Sequence, residues 1–194
     1  MGNENCTVEK LEPYEVFALK MEEKFPKMFK NKYYGGFAVG EGWWPILEVL
    51  CSEIYSHVEN QRRQRLRGLR LVRAKAKGID ALIKFYQGDR ETPSEWHIDS
   101  AHETLEGADI EVTPRLNHIT IQQIKEKFGG LRFYYDGGDA YIRGLESMAE
   151  RWAGRSCETC GERGERRGGG WIRTLCDKHE AEYQEKIKAR NQND

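Results

Sequence analysis

The sequence predicts an α+β fold in which helices pack on a small antiparallel sheet or hairpin, with a short cysteine-rich module at the C-terminus. Three observations predict this class. Apolar residues recur at helical spacing through the first part of the chain, the spacing changes to two after Pro114, and cysteines cluster near the end. The chain has 194 residues, of which 38% are hydrophobic, so it can bury a sizeable core.

The overall charge and hydropathy exclude several classes of protein. The 31 basic and 32 acidic side chains nearly cancel, which argues against a generally polybasic protein. No apolar stretch approaches the ~20 residues that span a bilayer, and no apolar signal-peptide core follows the N-terminus. We therefore expect a cytoplasmic protein without a membrane partner. The oligomeric state stays open.

Two helices are expected in the first third of the chain. Pro13 can occupy the first turn of a helix, and Pro26 ends or kinks it. Trp43, Trp44 and Pro45 introduce the second helix. The apolar positions of the two helices are Tyr14, Phe17, Met21 and Phe25, then Leu47, Leu50, Cys51, Ile54 and Val58.

A strongly basic segment, 61–84, is followed by an acidic one, 91–113, and together they suggest a charged insertion over 61–113. The basic segment has an apolar stripe at helical spacing. That stripe comprises Leu66, Leu69, Val72, Ala76, Ile79 and Ile83. The opposite face carries Arg63, Arg67, Arg70 and Lys77. Those cations can bind nucleic-acid phosphates, as in a nuclease, or they can be neutralised by the acidic segment. Pro93, Gly107 and Pro114 predict that the acidic segment is largely loop.

A β-hairpin and a third helix are expected after Pro114. Apolar residues alternate on both sides of a turn at 128–130, as in Ile119 and Ile121 before it and Leu131 and Phe133 after it. Gln123 and Tyr135 continue this alternation. Asp139 can cap the next helix. The predicted inward positions of that helix are Ile142, Leu145, Met148, Ala149 and Trp152.

The strongest chemical signal is the pair of motifs Cys157-x-x-Cys160 and Cys176-x-x-His179. Each two-residue gap lets two side chains converge on one ion, and the intervening residues, with a turn at 168–170, can form a hairpin. Three thiolates and one imidazole suit tetrahedral zinc, and they fill its coordination shell. The sequence therefore predicts one structural zinc ion.

The order of these elements describes a treble-clef-like zinc module. A knuckle ending in Gly161 is followed by a hairpin, and the second ligand pair enters a helix on which Tyr183 and Ile187 continue the ligand face. We expect a core domain over 1–153 and the zinc module over 154–194.

Several segments resemble a family of small phage and prophage proteins. The resemblance covers 24–45 and 120–180 best, and its motifs include Phe25–Phe29, Gly42-Trp43, Gln123–Tyr135, Cys157–Gly161 and Gly170–His179. It implies a phage-encoded accessory protein acting in the host cytoplasm. It supplies no catalytic residues.

Two further sites have competing interpretations. Lys125, Lys127, Arg132 and Tyr134, near Trp43 and Trp44, are candidates for a nucleotide-sized binding site, although the aromatic residues suit a core equally well. His97, Asp99 and His102 can form an acid–base or second metal site if they lie on a strand, or belong to a polar loop.

The function expected from these observations is non-enzymatic. The chain is expected to bind and inhibit or sequester a host component, such as a defence protein, with a host protein as the first candidate partner and a signalling nucleotide as the second. The alternatives are a nucleic-acid-binding protein or nuclease that uses the basic face, and a hydrolase that uses His97, Asp99 and His102.

Overall fold

The computed structural model describes residues 11–31, 35–107, 109–168 and 171–192. These residues form an α+β fold with six α-helices and two small sheets. The contacts divide the chain into two compact units. The first comprises residues up to Tyr55 and from Asn117 onward, and the second comprises 56–116, which contains the predicted insertion. The boundary expected between residues 153 and 154 stays a prediction.

The first two helices agree with the sequence pattern. Helix α1 spans Pro13–Lys24 and buries Phe17 and Met21. A one-turn 3-10 helix, Glu41–Trp43, leads into helix α2, Trp44–Lys77. All five apolar positions predicted for α2 are buried, namely Leu47, Leu50, Cys51, Ile54 and Val58. Phe17 stacks on Trp44 with 4.7 Å between ring centroids, so the two helices share an aromatic contact.

A three-stranded sheet lies in the first unit. Strand β2, Thr120–Lys127, pairs antiparallel with β3, Gly130–Asp136, and parallel with the two-residue strand β1, Phe37–Ala38. The register shifts between Ile121 and Gln123, which moves the buried position from Gln123 to Ile124. The predicted alternation through Gln123 is therefore wrong because a bulge changes its phase.

The tight turn of this hairpin confirms the predicted 128–130 turn. Phe128 has φ 53° and Gly129 has φ 70°, so both turn residues are left-handed. Two such residues in succession match the twist of the flanking strands. A bulky aromatic residue rarely adopts this conformation, and Phe128 nevertheless stays 63% exposed.

Helix α5, Ala140–Ala153, begins as predicted, because the Asp139 side chain accepts a hydrogen bond from the backbone of Ile142. Ile142 and Ala149 face the core, but Met148 and Trp152 are more than half exposed. The inward assignment of those two residues is wrong. They line an apolar groove of about 130 Å³ with residues of α2, which we call the α2/α5 groove. Its main apolar residues are Ile46, Val49, Leu145, Met148 and Trp152.

The second unit corrects two expectations. Helix α4, Glu95–Glu106, replaces the predicted acidic loop, and it packs on helix α3, Ile79–Gln87. Their core contains Ala74, Leu82 and Ala101. The stripe predicted on the basic segment is only partly inward. Leu66, Val72 and Ala76 are exposed, whereas Ala74 and Leu82, which lie outside that stripe, are buried. Helix α2 also ends before Gly78, which has φ 96°, so the stripe does not continue on one helix to Ile79 and Ile83.

Replacing Phe128 with asparagine tests the turn. We expect Phe128→Asn to raise the free energy of unfolding by up to about 1 kcal/mol, because asparagine tolerates the left-handed conformation better. Thermal melting of the purified variant measures this. Phe128→Val is the matched control and is expected to melt lower, since a branched Cβ is least compatible with positive φ. Equal melting of the two variants would contradict the turn assignment.

Candidate metal centre

Three short elements at the end of the chain bring the predicted ligands together. Cys157 and Cys160 lie on a turn that follows α5 and ends at Gly161, which has φ 80°. Strands β4, Glu165–Arg167, and β5, Arg173–Leu175, then form an antiparallel pair. Part of the predicted 168–170 turn lies outside the described residues. Cys176 occupies the N-cap position of helix α6, Asp177–Asn191, and His179 lies in the first turn of that helix.

The four ligand atoms all lie within 4.8 Å of one another. The Nδ1 atom of His179 lies 3.1 Å from Sγ of Cys176 and 3.4 Å from Sγ of Cys157, while the Sγ atoms of Cys160 and Cys176 are 3.9 Å apart. Cys157 is fully buried and Cys160 is exposed. This arrangement can hold one metal ion by four protein atoms.

The local electrostatics suit a cation. Burial opposes ionisation of Cys157, but backbone N–H groups of Cys176, Cys160 and Thr159 bond to its sulfur and lower its pKa to about 6. A bond from the backbone of Glu162 favours ionised Cys160, yet desolvation and the neighbouring cysteines raise its pKa overall. The ionised form of Cys157 is thus favoured, whereas a second thiolate at Cys160 is opposed by the negative charge already present on its neighbour. A divalent ion among the sulfurs relieves this repulsion, so the donor set fits a metal.

The ligand turn is braced by a segment distant in sequence. A Cβ on Gly42 would lie 2.2 Å from the carbonyl oxygen of Cys157 and 2.7 Å from the backbone nitrogen of Cys160, so only glycine fits here. The Gly42 N–H donates to the Glu158 carbonyl at 2.9 Å, and Nε1 of buried Trp43 donates to the Ser156 carbonyl at 2.8 Å. Sequence reasoning missed this brace, for which two nearby glycines, 40 and 42, were the available signal.

The tip of the β2–β3 hairpin packs on the strand that leads to Cys176. Thr174 is fully buried, and its hydroxyl donates to the carbonyl of Gly129 at 2.5 Å. A Cβ on Gly129 would lie 3.1 Å from the backbone of Arg173. The sheet and the ligand-bearing elements are therefore in direct backbone contact.

The hairpin residues proposed for ligand binding share one face. In the strand register Gln123 lies opposite Tyr134, and Lys125 lies opposite Arg132, while Ile124 and Phe133 turn to the core. Lys127 follows on the same face. The structure thus brings Lys125, Lys127, Arg132 and Tyr134 together on the outward side of the sheet.

The two tryptophans proposed beside them have packing contacts. Trp43 is fully buried, and Trp44 stacks on Phe17. The structure gives both rings contacts in the core of the first unit, and their participation in a ligand site stays a prediction.

The basic face of α2 is exposed in the second unit. Arg63, Arg67 and Arg70 line a shallow cleft of about 320 Å³ with Leu66 and Phe85. The acidic segment accepts hydrogen bonds from other cations of the basic segment through its backbone. Arg65 donates to Thr113 and Lys75 donates to Gly107.

The structure does not form the predicted histidine site on a strand. His97, Asp99 and His102 lie on helix α4 and not on a strand or loop, so His97 and Asp99 do not share a face. His97 is buried, and its Nδ1 accepts the backbone N–H of Ser94 at 2.8 Å. It therefore caps its own helix, whereas Asp99 and His102 are exposed.

Comparison of the chain with protein-family models, curated proteins and solved structures gives no match. None of the helices in the described part of the chain combines the length and apolar character that a membrane crossing requires.

Cys157→Ser tests the ligand set. We expect the metal content to fall from one ion per chain toward none and the melting temperature to fall with it, because apparent binding of structural zinc contributes about 10–16 kcal/mol in small modules. Elemental analysis and thermal melting measure the two effects. Cys51→Ala is the matched control, since Cys51 is buried away from the cluster and burial raises its pKa. A full metal content in Cys157→Ser would refute the assignment.

Gly42→Ala tests the brace. The added methyl group collides with backbone of the ligand turn, so we expect a loss of about 1–3 kcal/mol in unfolding free energy and weaker metal retention against a chelator. Gly144→Ala is the control, because a Cβ there meets nothing within 4 Å on helix α5. That variant is expected to gain up to about 1 kcal/mol. Similar behaviour of the two variants would contradict the brace.

Proposed function

We propose that this chain is a non-enzymatic binding protein whose C-terminal treble-clef-like module is held in shape by one structural zinc ion. The observation that carries the proposal is the set of four protein ligands within 4.8 Å of one another. Four such ligands complete a tetrahedral shell, and a zinc ion held in this way has no open position for a substrate.

The resemblance to phage accessory proteins directs the proposal to a host component in the cytoplasm. Binding would inhibit or sequester that component. A host protein, such as a defence protein, is the leading partner, and a nucleotide signal is the second. The α2/α5 groove supports a protein partner, because Val49, Met148 and Trp152 are each more than half exposed around an almost wholly apolar lining. Exposed apolar patches of this kind are typical of protein interaction sites.

A second candidate function is nucleic-acid binding or cleavage through the basic face of α2. Its support is the cleft lined by Arg63, Arg67, Arg70 and Phe85. Neither Arg67 nor Arg70 has an ion-pair partner among the residues that the structure describes. Salt dependence separates this candidate from the first, since phosphate contacts weaken steeply as salt rises.

Native mass spectrometry of the protein, purified from bacterial lysate without chelator, tests the leading proposal. We expect the mass of one zinc ion on the chain and a co-purifying host protein that Trp152→Glu and Met148→Glu both release. Trp96→Glu is the control, because Trp96 is similarly exposed but lies on α4.

Two outcomes would contradict the proposal. Absence of zinc would remove the structural metal. Retention of the same partner by the groove variants and the wild type would show that the groove does not carry the interaction.

A further inference from the structure

The outward side of the β2–β3 hairpin combines cations with exposed aromatic rings. Nζ of Lys125 lies 5.4 Å from the ring centroid of Tyr134, and Nζ of Lys127 lies 5.5 Å from that of Phe128. Neither lysine has an ion-pair partner in the described part of the chain. Tyr134 is 43% exposed, so its ring can accept a planar group from solution.

A second pair of rings lies at the hairpin tip. Phe128 and Trp171 line one cleft of about 340 Å³, together with Lys127 and Ile172. Phe128 is 63% exposed and Trp171 is 68% exposed. The left-handed backbone of Phe128 carries an energetic cost that no burial of its ring offsets, which points to a role for the ring outside the fold.

Two guanidinium groups converge beside the same turn. A Cβ on Gly130 would lie 3.1 Å from Nη1 of Arg132 and 3.4 Å from Nη2 of Arg166. Arg132 also contacts Glu150 at 3.4 Å, whereas Arg166 has no ion-pair partner among the described residues. Both guanidinium groups therefore lie close to the same glycine, and guanidinium groups are suited to binding phosphate.

The acidic side chains beside these cations have partners within the fold, and Glu150 is engaged with Arg132. The Glu126 carboxylate accepts the backbone N–H of Gly129 at 2.5 Å, so it is committed to the turn. The two lysines of the surface lie beside aromatic rings, Lys125 at Tyr134 and Lys127 at Phe128.

We propose that this surface binds single-stranded nucleic acid. We call it the hairpin surface, and it comprises Lys125, Lys127, Phe128, Tyr134, Arg166 and Trp171. The aromatic rings stack on unpaired bases, and the lysine and arginine side chains contact the phosphates. Base faces are hidden in a duplex, so the aromatic rings gain their stacking contacts only from a single strand. The cleft is shallow and its rings are mostly exposed, which suits a strand crossing a surface better than an enclosed free nucleotide.

Fluorescence anisotropy with labelled dT and rU oligonucleotides of about 12 nucleotides tests the proposal, since single-strand sites have this size range. We expect binding that weakens steeply between about 50 and 200 mM salt. Phe128→Asn and Trp171→Ala are each expected to weaken binding about tenfold. Lys127→Ala is expected to lower the salt slope by about one.

The controls separate this surface from the rest of the molecule. Trp96→Ala and Lys84→Ala remove an exposed ring and an exposed cation from the second unit and are expected to bind normally. Arg63, Arg67 and Arg70, changed together to alanine, separate the hairpin surface from the basic face of α2, because a loss of binding confined to this variant would assign the site to α2. Because asparagine tolerates the left-handed backbone of the turn better than phenylalanine, Phe128→Asn is expected to lose binding without losing stability.

Three results would overturn the inference. They are no binding of either oligonucleotide by the wild type, equal binding of a duplex of the same length, and a loss confined to the triple arginine variant. Tight binding of the free mononucleotide without binding of the oligonucleotide would overturn it as well.

The inference rests on the proposed function in one respect, because the metal site holds the elements that carry Arg166 and Trp171. Metal content is therefore measured on the same samples. A metal-free wild type that binds oligonucleotides through the hairpin surface contradicts only the proposed function. A zinc-loaded wild type that does not bind them contradicts only this inference.

Discussion

The backbone of Gly42 lies directly against the turn that carries Cys157 and Cys160, and the rest of the first unit is arranged around this contact. No side chain fits between the two backbones, so the ligand turn has one position relative to the start of α2. The buried ring of Trp43 strengthens the same contact, because its Nε1 donates a hydrogen bond to the carbonyl of Ser156 just before the ligand turn. The candidate metal centre is thereby attached to the core of its unit through the buried Cys157, and the sheet contacts the same module at Thr174.

Much of this arrangement follows from local sequence signals. Pro13 begins a helix, Asp139 caps another, and Gly129 forms part of the tight turn of the hairpin, because each of these depends on the chemistry of a few neighbouring residues. The four predicted metal ligands also lie together as their spacing predicts, since each pair needs only a short turn and the two pairs need only a hairpin between them. Local rules suffice where the determining contacts are local.

The remaining errors come from contacts that spacing does not reveal. Met148 and Trp152 fall on a helical stripe that resembles a core face, but the packing of α5 on β3 leaves them in solvent. The start of helix α4 was missed because its capping box is unusual. The ring of His97 takes the role that glutamate or glutamine usually has opposite the capping residue, which here is Ser94. The bulge after Ile121 reverses which residues of β2 face the core, and no residue type in that stretch predicts a bulge. The brace at Gly42 belongs to the same class, since it joins residues far apart in the chain.

The brace also has a consequence for the order in which the protein assembles. Trp43 and Ser156 are 113 residues apart, so closing this contact in an unfolded chain carries a large loop entropy. The four ligands span only residues 157–179 and can gather around an ion early, through local chain motion. Contacts of long sequence separation slow folding, so docking of Gly42 onto the ligand turn becomes the slow event. In a nascent chain, the core around α1 and the start of α2 would then close only after residues 157–179 had been synthesised.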